Sequence, residues 1–483
     1  MSKITQINKM LFYFFSNDQI ETILQTKTVL NRKNKPVLLW EQESAISNEV
    51  MVEIKKLVDN NEPVHIVSTY TLNKNYYREF GLDFHRAFLR PKNNLEDIEF
   101  TINSVKIHVF NSKINFLELD YNVLTNRVKD INDFNYFLSE VKMRLVFKFC
   151  YKVYRDKNLI YDEREIPVLQ LIRNLLGDFG VLNDVDYLNC LTYKSLKPFV
   201  FSYIFDEKNE VNDATNLGHN YKDSYSLNAD YIKKSSYFSN STWFYTCDSV
   251  MNYSNAIDNE YTNLFFNTTF LDKLRKLYFP LVLLALHQKL YLLDVYHELT
   301  NYDMKFKNAQ ELNDRCNKLS LFHADYNKMS FFYFFDTPSF LEHVNLFYDY
   351  VCEAFTITNY QRMVDTKFAF LLKFAKESSK LLENYNEKKA ERRKILYDIF
   401  AIFTASIISF ATLYETFLKF LSNIRVELSL KANIIIFLLL VILILIVPFI
   451  YNLTHNFKKL KTASNEVKTI EQQITDFGFL DIK

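Results

Sequence analysis

The segment IIIFLLLVILILIV, residues 434–447, decides the architecture of this chain. It is the centre of a stretch, residues 432–456, that contains no Asp, Glu, Lys or Arg. About 20 apolar residues at ~1.5 Å each are enough for a helix to cross the ~30 Å hydrocarbon layer. A run this long that is apolar on all sides leaves no polar face for water. It therefore predicts a transmembrane helix over residues 432–453.

A weaker apolar segment precedes it, and we predict a first transmembrane helix over residues 395–418. At ~100° per residue, small, hydroxylic or acidic residues share an arc of about 80° on this helix. They are Asp398, Ala401, Ala405, Ser409, Thr412 and Thr416, called the hydroxylic stripe below. The opposite face is bulky and apolar, and consists of Leu396, Phe400, Phe403, Ile407, Phe410 and Tyr414.

Two interpretations of the hydroxylic stripe remain open. Hydroxyl groups can line a water-filled pore, where an acid is also tolerated. Small residues also allow membrane helices to pack closely without any pore. Asp398 is correspondingly either an acid at the cytoplasmic pore entrance or an ion-pair partner of the basic residues that precede the span.

Basic residues flank both predicted spans on one side. Lys388, Lys389, Arg392, Arg393 and Lys394 precede the first span, and Lys458, Lys459 and Lys461 follow the second. The turn between the spans is poor in them. The positive-inside rule therefore predicts that both termini and the large N-terminal part are cytoplasmic.

The rest of the chain predicts an α+β membrane protein with a large cytoplasmic part. Residues 1–265 read as a mixed α/β domain, with strands at 36–40, 64–70 and 197–205 and a hairpin joining 98–102 to 105–110 through Asn103-Ser104. Residues 206–241 read as a loop. Residues 266–357 read as a helical region, in which the apolar segment near 277–286 is too short for a third span and predicts a buried helix.

A long stalk helix is predicted over residues 358–394, continuous with the first span. The combined helix from Thr358 to Thr416 would be ~88 Å long at ~1.5 Å per residue. It carries a heptad-like apolar seam of Val364, Phe368, Leu371, Ala375, Leu382 and Tyr385. One subunit is not expected to cover every side of such a rod, so the seam predicts a homo-oligomer. Residues 457–483 predict an amphipathic cytoplasmic tail helix.

The sequence lacks the motifs that are typical of nucleotide-binding, metal-binding and catalytic sites. The chain has only 5 glycines among 483 residues, and no glycine-rich phosphate-binding loop. Its 5 cysteines are widely spaced and its 9 histidines contain no metal-binding motif, so we expect no metal, no cofactor and no enzymatic activity. The net charge of +1 gives no reason to expect nucleic acid binding.

Two further parts of the sequence could have either a structural or a functional role. His287 lies in the apolar helix and is expected to be a core residue. The aromatic segment Thr242–Thr246 could stack on an adenine, because aromatic faces accept any base. It is more typical of a core strand.

This arrangement resembles the CorA family of divalent-cation channels. The resemblance rests on a long stalk helix continuous with the first span, a short outer turn and a second span near the C-terminus. It implies a homopentamer whose first span lines the pore. The Gly-Met-Asn motif of that family is missing, since the matching place reads Leu413-Tyr414-Glu415-Thr416-Phe417. Its absence puts magnesium transport in doubt.

Among divergent CorA-like proteins, the chain resembles the membrane effectors of type III CRISPR systems. That resemblance implies an antiviral channel in the bacterial inner (cytoplasmic) membrane, opened by a small nucleotide second messenger made from S-adenosylmethionine and ATP, such as SAM-AMP. The alternatives are a constitutive CorA-type magnesium transporter and a non-conducting membrane-anchored scaffold. The residues that would bind the nucleotide are not identified by the sequence.

Overall fold

A computed structural model describes most of the chain: residues 4–15, 20–30, 36–43, 67–75, 77, 86–90, 98–110, 112, 114–125, 127–139, 146–155, 158–167, 172, 175–176, 198–208, 232–303, 309–333, 338–339, 341–423, 430–442 and 446–476. The chain divides into two compact units. The first, called the sheet unit, comprises Met1–Glu298 and Asn327–Val364. The second, called the helical unit, comprises Leu299–Tyr326 and Asp365–Lys483.

The described part of the sheet unit is built on a mixed sheet of 12 strands. The strands are β1 (Thr5–Phe15), β2 (Thr28–Leu30), β3 (Pro36–Leu38), β4 (Trp40–Gln42), β5 (Val67–Leu72), β6 (Arg86–Arg90), β7 (Ile98–Phe110), β8 (Ile114–Val123), β9 (Val146–Arg155), β10 (Asn158–Pro167), β11 (Phe199–Asp206), β12 (Lys233–Phe238), β13 (Ser241–Tyr245) and β14 (Ser249–Asn255). Their order is β10-β9-β6-β7-β8-β1-β11-β14-β13-β12, with β5 on β7 and β4 on β5, while β2 and β3 form a separate pair. The β11–β14 pair is parallel.

Helices of very different length follow and separate these strands. In chain order they are α1 (Ile20–Thr26), α2 (Val128–Ser139), α3 (Glu260–Asn267), α4 (Thr269–Lys273), α5 (Phe279–Thr300), α6 (Ala309–Tyr333), α7 (Glu342–Ala354), α8 (Ile357–Asn423), α9 (Leu430–Val441) and α10 (Val447–Asp476). A π-helical turn, Leu274–Tyr278, joins α4 to α5. Pro280, two residues after this turn, cannot donate a backbone hydrogen bond, so the regular pattern of helix hydrogen bonds is interrupted at this junction.

Helices cover both faces of the central strands. On one face, the ring of Phe134 in α2 lies 4.8 Å from that of Phe100 and 5.1 Å from that of Tyr121. On the other face, Phe279 in α5 lies 5.4 Å from Phe201. All eight residues of β11 are buried as a result. This double cover explains why β11 is a continuous apolar run rather than an alternating one.

The predicted hairpin at 98–110 is wrong, because these residues form the single strand β7. Its pairing with β8 shifts register between Ile102 and Ser104. The extra residue of this bulge, Asn103, changes which face the following residues occupy, so that Val105 and Ile107 share a face with Ile102. In the sequence, the same break in alternation is indistinguishable from a turn.

Other sequence predictions for this unit have mixed outcomes. The strand at 197–205 is confirmed apart from a small shift of its ends, and the strand at 64–70 is confirmed from Val67, since 64–66 lie outside the described residues. The single strand predicted at 36–40 is divided at Leu39 into β3 and β4, which pair with β2 and β5 respectively. The loop predicted at 206–241 is wrong at β12, and residues 209–231 lie outside the described part. The apolar helix α5 is buried as expected, and Val282 and Ala285 are 0% exposed. His287 and Trp243 are core residues, at 0% and 1% exposure.

The helical unit contains the predicted long helix. Helix α8 runs without a break over 67 residues. The seam prediction changes in one respect, because part of the seam is covered by the same chain. Phe368 packs against Phe322, His323 and Tyr326 of α6, with ring centroids 4.8 to 5.3 Å apart. At Phe368, therefore, the apolar seam does not need a second subunit to cover it.

The C-terminal helices also differ from the predicted division into a second span and a separate tail. Helix α10 continues over 30 residues from the apolar segment into the tail, and residues 443–445 between α9 and α10 lie outside the described part. The tail part is amphipathic, with Ala463 and Val467 each 4% exposed. The fold is thus α+β, with a mixed sheet and one long apolar helix that could span a membrane.

Candidate functional site

The six residues of the hydroxylic stripe lie on α8, and all six are exposed. The helix is continuous from Ile357 to Asn423, so the ~100° spacing that defines the stripe holds throughout. The opposite face is exposed as well, with the side chains of Leu396, Phe400, Phe403, Ile407, Phe410 and Tyr414 being 46 to 70% accessible. This part of α8 therefore presents two chemically different uncovered faces.

Among the described residues, one helix is long and apolar enough to cross a membrane, Ile357–Phe420. Its most apolar window has a mean hydropathy of 1.8, and none of that window is buried. A core helix of a water-soluble protein would pass the same test of composition, but its apolar window would be covered by protein. The exposure is what separates this helix from buried α5.

Helices α9 and α10 return alongside α8 and cover a third side of it. The Tyr385 hydroxyl donates a hydrogen bond of 2.9 Å to Glu471, and Lys388 lies 3.0 Å from Glu466. Further along, the rings of Phe403 and Phe449 are 6.0 Å apart. Since an advance along α8 matches a retreat along α10 in all three contacts, the two helices are antiparallel neighbours. Ile399, Ile402 and Ser406 on the covered side are only partly exposed.

A cleft opens beside the stripe, between α8 and α9. Its volume is about 540 Å³, and it is lined by Ser409, Thr412, Leu413, Thr416, Phe417, Phe420 and Ile436. Three stripe residues thus contribute hydroxyl groups to an otherwise apolar wall. No charged side chain lines this cleft among the described residues.

The two threonine hydroxyls of the hydroxylic stripe donate hydrogen bonds to backbone carbonyls of α8. Thr412 donates to the carbonyl of Ile408 at 2.6 Å, and Thr416 donates to the carbonyl of Thr412 at 2.8 Å. Each donor is therefore satisfied without water, which lets these residues tolerate an apolar environment. The oxygen lone pairs stay available to accept hydrogen bonds from water.

Asp398 makes no ion pair with any residue that the structure describes, although basic residues occupy the preceding turns. Lys388 instead pairs with Glu391 at 3.1 Å and with Glu466 at 3.0 Å. The ion-pair interpretation of Asp398 thus has no contact to support it within one chain.

A second cleft lies between α6 and α8, within the helical unit. It has a volume of about 740 Å³, and its lining combines leucine side chains with hydrogen-bonding ones, including Asn313, Ser320, Lys376, Lys380 and Glu383. This volume lies within the range of ~300–1,000 Å³ that is typical of small-molecule sites.

The sheet unit holds a buried charged cluster that the sequence reasoning missed. The Lys9 ammonium in β1 is 2.5 Å from one oxygen of Glu118 in β8. The other oxygen of Glu118 is 2.6 Å from Nε2 of His108, whose Nδ1 is 3.0 Å from the Thr69 hydroxyl. The ammonium also lies 4.0 Å above the ring of Phe279. Register explains the cluster, because neighbouring strands place these side chains on one face of the sheet.

The electrostatics of this cluster favour a structural role. Burial alone would raise the pKa of Glu118, but Lys9 and His108 outweigh it and hold this pKa well below its usual range. Nearby Asp120 behaves differently, since burial raises its pKa despite Lys9 and a 2.8 Å hydrogen bond donated by Asn103. Glu118 thus has both its oxygens paired, and charged groups this well matched hold strands in register.

No group of three or more His, Cys, Asp or Glu side chains with metal-binding geometry occurs among the described residues. Charged residues inside apolar strand segments, such as Lys9 before Met10–Phe15, were the available signal for the buried cluster. No family model, no curated protein and no solved structure matches this chain.

Proposed function

We propose that this chain is a ligand-gated, homo-oligomeric membrane channel in which the hydroxylic stripe of α8 lines the pore. One observation carries the proposal: the apolar half of α8 has two opposite exposed faces, one hydroxylic and one bulky. Lipid suits the bulky face, whereas water suits the stripe better, because water can donate hydrogen bonds to the hydroxyl oxygens. Several copies arranged around an axis would satisfy both faces, with the stripes toward a shared aqueous pore.

The rest of the proposed arrangement follows from flanking charge. The basic residues at the start of the apolar part of α8 favour an orientation with the sheet unit and both termini in the cytoplasm of a bacterial cell. Helices α9 and α10 would form the second span and its cytoplasmic continuation. We propose that α9, α10 and the bulky face of α8 separate the pore from lipid.

The ligand part of the proposal rests on the resemblance to CorA-like effectors of type III CRISPR systems. A nucleotide such as SAM-AMP would open the channel only if it bound the open state better than the closed one. A molecule in the 740 Å³ cleft would contact both α6 and α8, and such contacts could shift α8. Opening would dissipate ion gradients in an infected cell.

Flux through reconstituted vesicles tests this function against its alternatives. Nucleotide-dependent flux is the expected result. Magnesium flux without nucleotide would favour a constitutive transporter, and the lack of any flux under every ligand would favour a membrane-anchored scaffold. A chain that stays monomeric in both detergent and lipid would contradict the channel.

Cysteine accessibility tests the assignment of faces. In a variant whose five native cysteines are replaced by serine, Ser409→Cys should react with a small, water-soluble thiol reagent. Phe403→Cys should be protected, because Phe403 lies on the bulky face and its ring is 6.0 Å from that of Phe449. Equal protection of both positions would contradict a water-filled pore along the stripe.

A further inference from the structure

Two basic segments far apart in the sequence lie at the same level of the helical unit. Arg392, Arg393 and Lys394 are on α8, and Lys458, Lys459 and Lys461 are on α10. The Lys388–Glu466 and Phe403–Phe449 contacts enclose both segments, one contact on each side. Because the helices are antiparallel and rise ~1.5 Å per residue, residue 393 is opposite about residue 461. We call these six residues the basic band.

The charges of the basic band are open to a partner. All six side chains are exposed, and none makes an ion pair with a residue that the structure describes. The nearby Lys388 is different, because Glu391 and Glu466 already pair with it. Within residues 392–400 and 457–465 the only acidic residue is Asp398. The band therefore has a strong excess of positive charge.

Exposed aromatic residues border the band on its apolar side. Tyr397 is 72% exposed, Tyr451 is 71% exposed and Phe457 is 51% exposed. Beyond them on α8, the large apolar side chains Phe400 and Ile407 are exposed at 70% and 59%. Cations, then tyrosines, then aliphatic and aromatic surface is the order in which a bilayer presents headgroup, interface and hydrocarbon.

We propose that the basic band binds the phosphate groups of anionic phospholipids, and that these lipids are preferred around the protein. The inference rests on the proposed membrane insertion of α8, but it requires neither a pore nor a nucleotide. Charge complementarity selects the occupant, since each Lys or Arg near an anionic membrane surface adds attraction. The aromatic border selects a lipid over a free phosphate, because a soluble anion would leave Tyr397 and Tyr451 uncovered.

The proposal is tested by reconstituting the whole chain in phosphatidylcholine bilayers that contain a small amount of spin-labelled lipid. The fraction of motionally restricted label gives the association constant of phosphatidylglycerol relative to phosphatidylcholine. We expect a preference of about fivefold or more for phosphatidylglycerol at low salt, and its loss at high salt. The variant Lys458→Gln/Lys459→Gln/Lys461→Gln should lose most of this preference.

A matched control removes the same charge elsewhere. Lys376→Gln/Lys380→Gln/Lys468→Gln changes three exposed lysines outside the band and should keep the wild-type preference. An equal loss in both triple variants, no loss in the band variant, or full competition by soluble glycerol phosphate would overturn the proposal. Motionally restricted lipid with no preference for phosphatidylglycerol would contradict only the proposal that the basic band binds anionic lipid. The absence of any motionally restricted lipid would contradict membrane insertion of α8, and the proposed channel with it.

Discussion

The sheet unit buries charged side chains, whereas the apolar part of α8 exposes large aromatic ones. In the sheet unit, Lys9 and Glu118 are 4% and 0% exposed, and the Lys9 ammonium lies 4.0 Å from the centre of the Phe279 ring. On α8, Phe400 is 70% exposed and Tyr397 72%. Exposed apolar surface of this extent is unfavourable in water. The difference therefore supports the proposed insertion of this part of α8 into a membrane.

Two groups of buried polar side chains in the sheet unit are tolerated because their members are paired. Besides the Lys9–Glu118–His108 cluster, Ser241, Asn252 and Ser254 hydrogen-bond to one another at 2.8 to 3.1 Å in the β13–β14 region. Removing one member leaves the others buried without a partner. We therefore expect the sheet unit to be far more sensitive than α8 to the loss of a polar group.

The largest effect is expected for Glu118→Ala. It leaves the Lys9 ammonium buried without its carboxylate and should lower the free energy of unfolding by about 3–5 kcal/mol. Urea unfolding in detergent, followed by tryptophan fluorescence, measures this in the sheet unit, because Trp40 and Trp243 are the only tryptophans and both are buried. Glu43→Ala removes the half-exposed partner of Lys106 and should cost no more than about 1 kcal/mol. Similar losses in both variants would contradict the difference in burial.

The second effect concerns pH and His287, whose ring stacks on Phe110 at 4.0 Å and whose Nε2 is 2.7 Å from the Ser112 hydroxyl. Burial lowers the pKa of His287 to about 3. The unfolded chain, with a histidine pKa of ~6.5, binds a proton that the folded chain does not, so stability is complete above that pH and falls on acidification. Between pH 7 and 5 we expect a loss of about 2 kcal/mol from this residue.

The variant His287→Gln is the control for that slope. Glutamine can still hydrogen-bond to Ser112 but does not titrate, so the pH dependence between 7 and 5 should become shallower. An unchanged slope would mean that another group is responsible.

A third, smaller effect is expected at the junction of α7 and α8. Thr356 has a φ of 55°, a left-handed conformation that a β-branched residue adopts only under strain. Thr356→Gly should raise the free energy of unfolding by about 1 kcal/mol, because the strain is larger than the added flexibility of glycine. Thr366→Gly, within α8, should instead destabilise, and a loss of stability in both variants would show that Thr356 is not strained.

The smallest effect is expected in the helical unit. Tyr385→Phe removes one partly buried hydrogen bond to Glu471 and should cost about 0.5 kcal/mol. Helical circular dichroism during thermal unfolding is the suitable measurement, because the helical unit contains no tryptophan. A loss as large as that of Glu118→Ala would show that the two regions do not differ as described.

Helices with strong apolar patterns were predictable from the sequence. The apolar segment near 277–286 identified α5, and the heptad-like seam identified α8, because both signals are local properties of the sequence. The bulge at Asn103 and the strand β12 were not predictable, since a break in alternation and a polar strand both imitate loops. The cover of Phe368 by α6 was also missed, because a seam does not state which partner covers it.

The hydroxylic stripe and the buried charged cluster also differ in how far they could be predicted from the sequence. The six stripe residues lie on one helix, so spacing alone brought them together. The cluster joins Thr69, His108, Glu118 and Lys9 from four strands, and only the pairing register places them in contact. A sequence without the register contains no information on which charges meet. Pairings of that kind were therefore outside what the sequence could predict.

Strand β1 has a consequence for synthesis of the protein. It lies between β8 and β11, so the second neighbour of Thr5–Phe15 is made nearly two hundred residues after it, at Phe199–Asp206. At ~5–20 residues per second, a ribosome takes roughly 10–40 s to supply that neighbour. During this interval one apolar edge of β1 is open to pairing with other chains, and we expect a chaperone that holds newly made protein to raise the yield of folded sheet unit.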